Sequence, residues 1–335
     1  APHHPMKIGV TYDLRSDHLA LGYSEEDCAE FDAEETVQAI CDALAHHGHE
    51  PDRIGGIKAL TARLAAGDRW DAVFNFCEGL KGVAREAQAP ALLEGFDIPY
   101  VFSDPLTLAL SLDKAMAKRV VRDGGVAVAA FAVVERAQDA PSVDLSFPLF
   151  CKPLSEGSGK GVGVMSRVDD PAGLLRTVAY LLERFRQPVL VEEFLPGREF
   201  TVGITGTGDR ARVLGVVEIV QKAGYVGHGY GLENKQPNWE DKLDIVRATD
   251  ADARAAGRVA LDAWRLLRCR DGGRVDVRED AAGRPCFIEV NPLAGLRPGY
   301  SDFCLIAEYE GLSYNDLIGL ILASFLERHP DLKGR

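Results

Sequence analysis

The stretch that decides the fold is Arg274-Val275-Asp276-Val277, followed by a polar turn containing Gly283 and Pro285 and then by Phe287-Ile288-Glu289-Val290-Asn291. Side chains alternate faces along a strand, so Arg274, Asp276, Glu289 and Asn291 share one face while the valines and Ile288 pack on the other. Paired as a hairpin, the two strands bring Asp276 near Glu289. Two carboxylates and an amide oxygen gathered in this way form a hard-oxygen site, suited to Mg²⁺ ions that also hold nucleotide phosphates. A solvated hairpin face is the more frequent use of such a pattern, and the hairpin alone does not separate the two.

Two further segments bear on the choice. Phe150-Cys151-Lys152-Pro153 leads into Glu156-Gly157-Ser158-Gly159-Lys160-Gly161-Val162-Gly163. Glycines in a strand-to-strand loop let backbone N–H groups approach phosphate oxygens, and Lys152 adds a point charge. The spacing is not that of a Walker loop, and a plain glycine-rich hairpin turn fits equally well. Val189-Leu190-Val191-Glu192-Glu193-Phe194-Leu195-Pro196-Gly197-Arg198-Glu199-Phe200 is an apolar strand running into acids. It offers backbone groups and Glu192 to an adenine and Glu199 to ribose hydroxyls, although acids at a strand end are most often simply solvated.

The totals narrow the class. The chain has 335 residues, 46% hydrophobic and 27% charged, enough for two or three domains with real cores. A formal net charge of −13 disfavours nucleic acid and anionic membranes as partners and favours small-molecule chemistry. No apolar run approaches the roughly 20 residues of a membrane span, and Ala1 to Pro5 lacks a signal-peptide pattern, which predicts a cytoplasmic protein. Cys28, Cys41, Cys77, Cys151, Cys269, Cys286 and Cys304 are scattered without a C-x-x-C pair and read as reduced, buried residues.

Strand and helix patterns alternate over the first hundred residues, the habit of a doubly wound parallel sheet. Asp32 and Glu35 predict a capping box opening a helix that Gly48 stops. Ser103-Asp104-Pro105 opens a helical segment closed by Gly124-Gly125, and Ser313 with Asp316 predicts a second capping box. The expected units are 1–102, a Rossmann-like N-terminal domain; 103–190, a central lid domain; and 191–335, a C-terminal domain with metal and substrate sites.

Taken together, Glu-Gly-Ser-x-Lys-Gly at 156–161, Val-Glu-Glu-Phe-Leu-x-Gly-x-Glu-Phe at 191–200, Arg-Val-Asp at 274–276 and Glu-Val-Asn-Pro-Leu-x-Gly-Leu at 289–296 resemble the D-alanine:D-alanine ligases and their ATP-grasp relatives. Phe74 to Gly79, Arg85-Glu86, Pro90 to Glu94, Ile98-Pro99-Tyr100 and Leu112-Asp113-Lys114 extend the likeness over roughly residues 70 to 325. The resemblance implies an α/β ATP-grasp fold behind a Rossmann-like domain, ATP as substrate, and two Mg²⁺ ions, with Mn²⁺ as a substitute. It assigns Lys114, Lys152 and the backbone at Gly157 and Gly159 to ATP phosphates, Glu192 and Leu195 to adenine and Glu199 to ribose. Asp276, Glu289 and Asn291 would hold metal. Arg274 and Gly295 would stabilise an oxyanion, Lys235 would reach the γ-phosphate from a mobile loop, and Ser301 would hold the second substrate's carboxylate. A homodimer is a further family expectation.

The pattern breaks at the first-substrate subsite. The family's glutamate after strand one, which holds an ammonium group, is absent from Thr11-Tyr12-Asp13-Leu14-Arg15-Ser16-Asp17-His18, where Asp13 or Asp17 is a shorter substitute. The tyrosine after the loop lysine is Gln236, its companion Ser158 is kept, and Gly159 replaces the next serine. The expectation is a carboxylate–amine ligase acting through an acyl phosphate on amino acids or other carboxylic acids, D-alanine:D-alanine ligase-like. The alternatives are a ligase for a different acid, making an unusual dipeptide or amide, and a nucleotide-binding module without catalysis.

Overall fold

The computed structural model describes residues 4–25, 28, 31–156, 166–222 and 243–333. Its first sheet is parallel, in the order β2-β1-β3-β4, from β1 (Lys7–Thr11), β2 (Glu50–Gly55), β3 (Ala72–Asn75) and β4 (Tyr100–Val101). Between them lie α1 (Arg15–Ala20), α2 (Glu34–His46), α3 (Ile57–Ala65) and α4 (Gln88–Gly95). Every residue of β3 is buried, as a strand covered on both faces requires. Helix α2 buries Val37, Ile40, Cys41 and Leu44 at helical spacing. Its start differs from the capping box expected at Asp32. Ala33 is the N-cap, without a side-chain cap. The backbone of Asp32 is instead tied to the segment between β1 and α1, donating to the Asp13 carbonyl and accepting from the N–H of Arg15, the first residue of α1.

Two helices follow where one segment was expected, α5 (Pro105–Leu112) and α6 (Lys114–Asp123). Asp113 breaks the run because its side chain accepts from Met116 N–H at 2.9 Å and caps α6. The break sets Lys114 at the first position of the new helix. The second sheet is antiparallel, ordered β5-β8-β6-β7, from β5 (Phe131–Val134), β6 (Leu149–Pro153), β7 (Arg167–Val168) and β8 (Val189–Glu193), with α7 (Pro171–Phe185) across it. Strand β8 runs through the boundary expected at residue 190, so this sheet extends to Glu193.

The third sheet, ordered β11-β10-β9-β12-β13, is antiparallel throughout. It comprises β9 (Glu199–Thr205), β10 (Arg212–Gln221), β11 (Leu243–Arg247), β12 (Gly272–Glu279) and β13 (Pro285–Asn291), backed by α8 (Ala251–Leu266). Trp264 of α8 is fully buried, and a Cβ on Gly273 would lie 2.9 Å from its ring, so glycine admits the indole here. Helices α9 (Asp302–Tyr309) and α10 (Tyr314–Arg328) then turn back, and Phe303, Ile318, Ile321 and Phe325 share one core with Ile8, Val10 and Phe74 of the first sheet and with Phe102 just after β4. The Ser313–Asp316 capping box forms as expected.

A buried carboxylate locks this return. Asp271 is 0% exposed, pairs with Arg328 at 2.7 Å, and accepts from Ser324 Oγ at 2.8 Å and Phe102 N–H at 2.7 Å. All seven cysteines are free and buried. Among the described residues no helix is long and apolar enough to cross a membrane.

Candidate active site

The β12–β13 hairpin has the register its sequence implies, with Arg274 opposite Asn291 and Asp276 opposite Glu289. A bulge follows Asp276. Central strand β9 supplies Thr201, whose hydroxyl donates to Asp276 Oδ1 at 3.2 Å and orients that carboxylate. Arg274 is buried, and its Nη1 donates to Asp302 Oδ2 at 2.9 Å and Asp276 Oδ1 at 3.3 Å. Lys114 reaches across from α6, its Nζ 3.6 Å from Glu289 Oε2 and donating to the Glu156 carbonyl. Lys114, Arg274, Glu289 and Asn291 line one cleft with Glu78, Glu86, Ser111 and Glu156.

Lys152 and Glu192 meet deeper down. Lys152 Nζ lies 2.9 Å from Glu192 Oε1, and Lys118 Nζ lies 3.0 Å from Glu192 Oε2. Lys118 is completely buried and was not singled out from the sequence. Its signal was present, because it falls on the face of α6 occupied by Ala115, Ala117 and Val121. Desolvation alone would raise the Glu192 carboxyl, but the two ammonium charges overcome it and hold it at about 2. Desolvation lowers Lys118, whereas Glu192 and Glu289 together keep Lys152 above its ordinary value despite burial. The result is a fixed pair of positive charges beside the hairpin's acids.

The other expected residues occupy several environments. Leu195 is buried, and Glu199 lies 3.7 Å from Arg278. A Cβ on Gly295 would come within 2.8 Å of Ser301 Oγ, which accepts from Arg297 N–H at 2.9 Å. Asp302, the first residue of α9 and the partner of Arg274, was also missed, since an acid after a serine reads as ordinary helix capping. Asp13 differs from the expected ammonium partner. Its Oδ2 accepts from Gly79 N–H at 2.9 Å and Cys77 Sγ at 3.1 Å, and its Oδ1 lies 3.1 Å from His18 Nε2. The carboxylate thus ties the end of β1 to the loop after β3. Gly157, Ser158, Gly159, Lys235 and Gln236 lie outside the described residues.

The hairpin's donors fit a divalent cation. Among the described residues no group of three or more His, Cys, Asp or Glu side chains is arranged to hold a metal. Two carboxylates and an amide are nonetheless the sparse oxygen set expected of Mg²⁺, which keeps waters and takes further ligands from phosphates.

A parallel sheet followed by two antiparallel sheets, with acids and buried lysines meeting where they join, defines the class: an ATP-grasp ligase that uses ATP and a divalent metal. Comparison with known proteins gives the family. The family described as D-ala D-ala ligase C-terminus matches residues 120–323. A D-alanine–D-alanine ligase of Bordetella petrii is 31% identical over 313 residues, covering 93% of this chain and 89% of the relative. D-alanine–D-alanine ligase B of Xanthomonas campestris is 33% identical over 297 residues, 86% of this chain and 88% of its own length. An uncharacterised protein, y4sG, of Sinorhizobium fredii is 31% identical over 303 residues, 85% and 86% of the two chains. Among solved structures, VanG D-Ala:D-Ser ligase from Enterococcus faecalis superposes with a TM-score of 0.73 at 21% identity, over 96% of this chain and 100% of that one. D-alanine–D-alanine ligase from Bacillus anthracis complexed with ATP gives 0.70 at 20%, over 97% and 99%. These two show the same fold. The chain belongs to the D-alanine–D-alanine ligase family.

Proposed function

We propose that the enzyme joins an amino acid or related carboxylic acid to an amine through an acyl phosphate, with the joining of two D-alanines as the first reaction to test. The observation that carries this reading is the placement of Arg274, Asp276, Glu289 and Asn291 together beside Lys114. A carboxylate is a poor electrophile near neutral pH, and transfer of the γ-phosphoryl group of ATP to it depends chiefly on alignment and charge neutralisation. Lys114, Lys152 and, from outside the described residues, Lys235 supply positive charge to the phosphates. Gly157 and Gly159 offer backbone donors. Glu192 and Leu195 border the adenine, and Glu199 the ribose. Asp276, Glu289 and Asn291 hold two Mg²⁺ ions, or Mn²⁺ in their place, which neutralise charge on the triphosphate.

The acceptor amine then attacks the acyl carbon, the C–N bond forms, and inorganic phosphate leaves. Negative charge collects on the carbonyl oxygen during attack, where Arg274 and the backbone at Gly295 stabilise it. Ser301 orients the acceptor, and Ser158 and Gln236 border the donor. Asp302 shares Arg274 and holds its guanidinium in place before the charge develops. A cytoplasmic location and a homodimer belong to the same reading.

The test is ADP release, with MgCl₂ present, across D- and L-amino acids and small carboxylic acids. Stimulation by D-alanine alone supports the named reaction, and stimulation by another pair redirects it within the ligases. Silence with every acid refutes the proposal.

A further inference from the structure

Near its end, strand β8 carries a carboxylate shared by two lysines from different elements. Glu192 meets Lys152 Nζ of β6 at 2.9 Å through Oε1 and Lys118 Nζ of α6 at 3.0 Å through Oε2. One ammonium group neutralises one carboxylate, so the second calls for its own explanation. Lys118 also donates to the Phe287 carbonyl of β13 at 3.5 Å. Burying an ammonium group is costly, and an apolar side chain of similar length would suit the face of α6 that carries Ala115, Ala117 and Val121 at least as well. Packing therefore does not account for Lys118.

The two lysines differ in what they can reach. Lys152 keeps 8% of its side chain exposed, and Glu289 and Asp276 of the hairpin both act on its charge. Lys118 has none of its side chain exposed, so it cannot itself touch a nucleotide. What it changes is the charge of the group. Two ammonium groups around one carboxylate leave one positive charge, whereas Lys152 and Glu192 alone would cancel. A cancelled pair attracts phosphate weakly, and where little water is present to screen it a single unit of charge weighs heavily.

We propose that Lys118 is a positioning residue for nucleotide binding: it occupies Glu192, so that the charge of Lys152 is left for the phosphates of ATP. Selection of a polyphosphate over an uncharged nucleoside is then set in part by a side chain that never meets the ligand. The inference rests on the ligase reading, in which Lys152 faces the ATP phosphates and Glu192 the adenine.

The full-length enzyme is titrated calorimetrically with ATP, ADP and adenosine in the presence of MgCl₂, and the readout is the ratio of the adenosine Kd to the ATP Kd. Lys118→Met should lower that ratio at least about tenfold, with ADP affected less than ATP and the adenosine Kd moving less than about twofold. Adding Glu192→Gln to Lys118→Met restores one positive charge. The ratio should then return to within about threefold of wild type, because any change at the adenine contact acts on all three ligands alike. In ADP release, Lys118→Met should raise the KM for ATP at least about tenfold and move the KM for the acid less than about twofold. A purely structural lysine would weaken all three ligands together, and the second substitution would not repair the loss. Lys118→Gln, equally uncharged and able to donate to Glu192, takes the place of the methionine variant if that one fails to fold. A ratio unchanged in the uncharged variants, or a double variant as weak as the single, overturns this assignment and leaves the ligase reading standing. A wild-type enzyme that binds ATP no more tightly than adenosine and releases no ADP with any acid overturns both.

Discussion

Replacing Glu192 by glutamine removes the anion between two buried ammonium groups, Lys118 Nζ at 3.0 Å and Lys152 Nζ at 2.9 Å, with side-chain exposures of 0% and 8%. A carboxyl held at about 2 against an ordinary 4.5 corresponds to about 3 kcal/mol of folded-state stabilisation of the charged form. Breaking a buried pair from one side costs about 3–5 kcal/mol by general experience, so Glu192→Gln should lose at least about 3 kcal/mol. Lys118→Met is a contrasting change, because it leaves Lys152 and Glu192 as a one-to-one pair. Its cost should stay below about 2 kcal/mol. The assay is urea unfolding followed by far-UV circular dichroism and tryptophan fluorescence, read where the two probes coincide. Because the folded carboxyl lies below its ordinary value, its contribution is complete above pH 4.5 and lost as pH falls toward about 2. The gap between wild type and Glu192→Gln should therefore close over that interval. A Lys118→Met variant as unstable as Glu192→Gln, or a gap independent of pH, would refute the reasoning.

Three other outcomes are expected. Asp276→Asn and Glu289→Gln should each raise the Mg²⁺ concentration for half-maximal ADP release at least about tenfold, and an unchanged titration in both would exclude the hairpin as the metal site. Arg274→Lys keeps the charge but loses the planar fork, so kcat should fall about 10²-fold with the KM for ATP near wild type, and a wild-type kcat would remove Arg274 from oxyanion stabilisation. Asp271→Asn tolerates the local φ of 66° yet leaves Arg328 without its buried anion. It should cost about 3–5 kcal/mol in urea unfolding, and an unaltered midpoint would show that the pair contributes nothing to holding α10.

The hairpin was legible because a period of two puts Arg274, Asp276, Glu289 and Asn291 on one face whatever surrounds them. The seven cysteines were legible for a similar reason, since a small apolar side chain without a partner motif goes inside. What escaped was set by contacts between distant segments. Lys118 is an ordinary helix lysine until α6 is laid against β8, and Asp302 is an ordinary cap residue until Arg274 arrives from β12. Asp13 appeared suited to substrate because its sequence neighbours said nothing about Cys77 and Gly79, which lie one strand away. Asp32 illustrates the limit of local rules. Its capping pattern is sound, but a backbone tie to Asp13 and Arg15, beyond the end of β1, took precedence.

The first sheet completes its core with residues from the other end of the chain, Leu293, Phe303, Ile318, Phe325 and Leu332 among them. Translation at typical speeds needs roughly 10–45 s to travel from β4 to the end of α10, and throughout that interval β1 to β4 leave the ribosome without part of their cover. The segment made earliest is thus finished last. A nascent chain of this kind has reason to engage a holding chaperone, and a premature stop just before α9 would expose an apolar surface on an otherwise intact sheet.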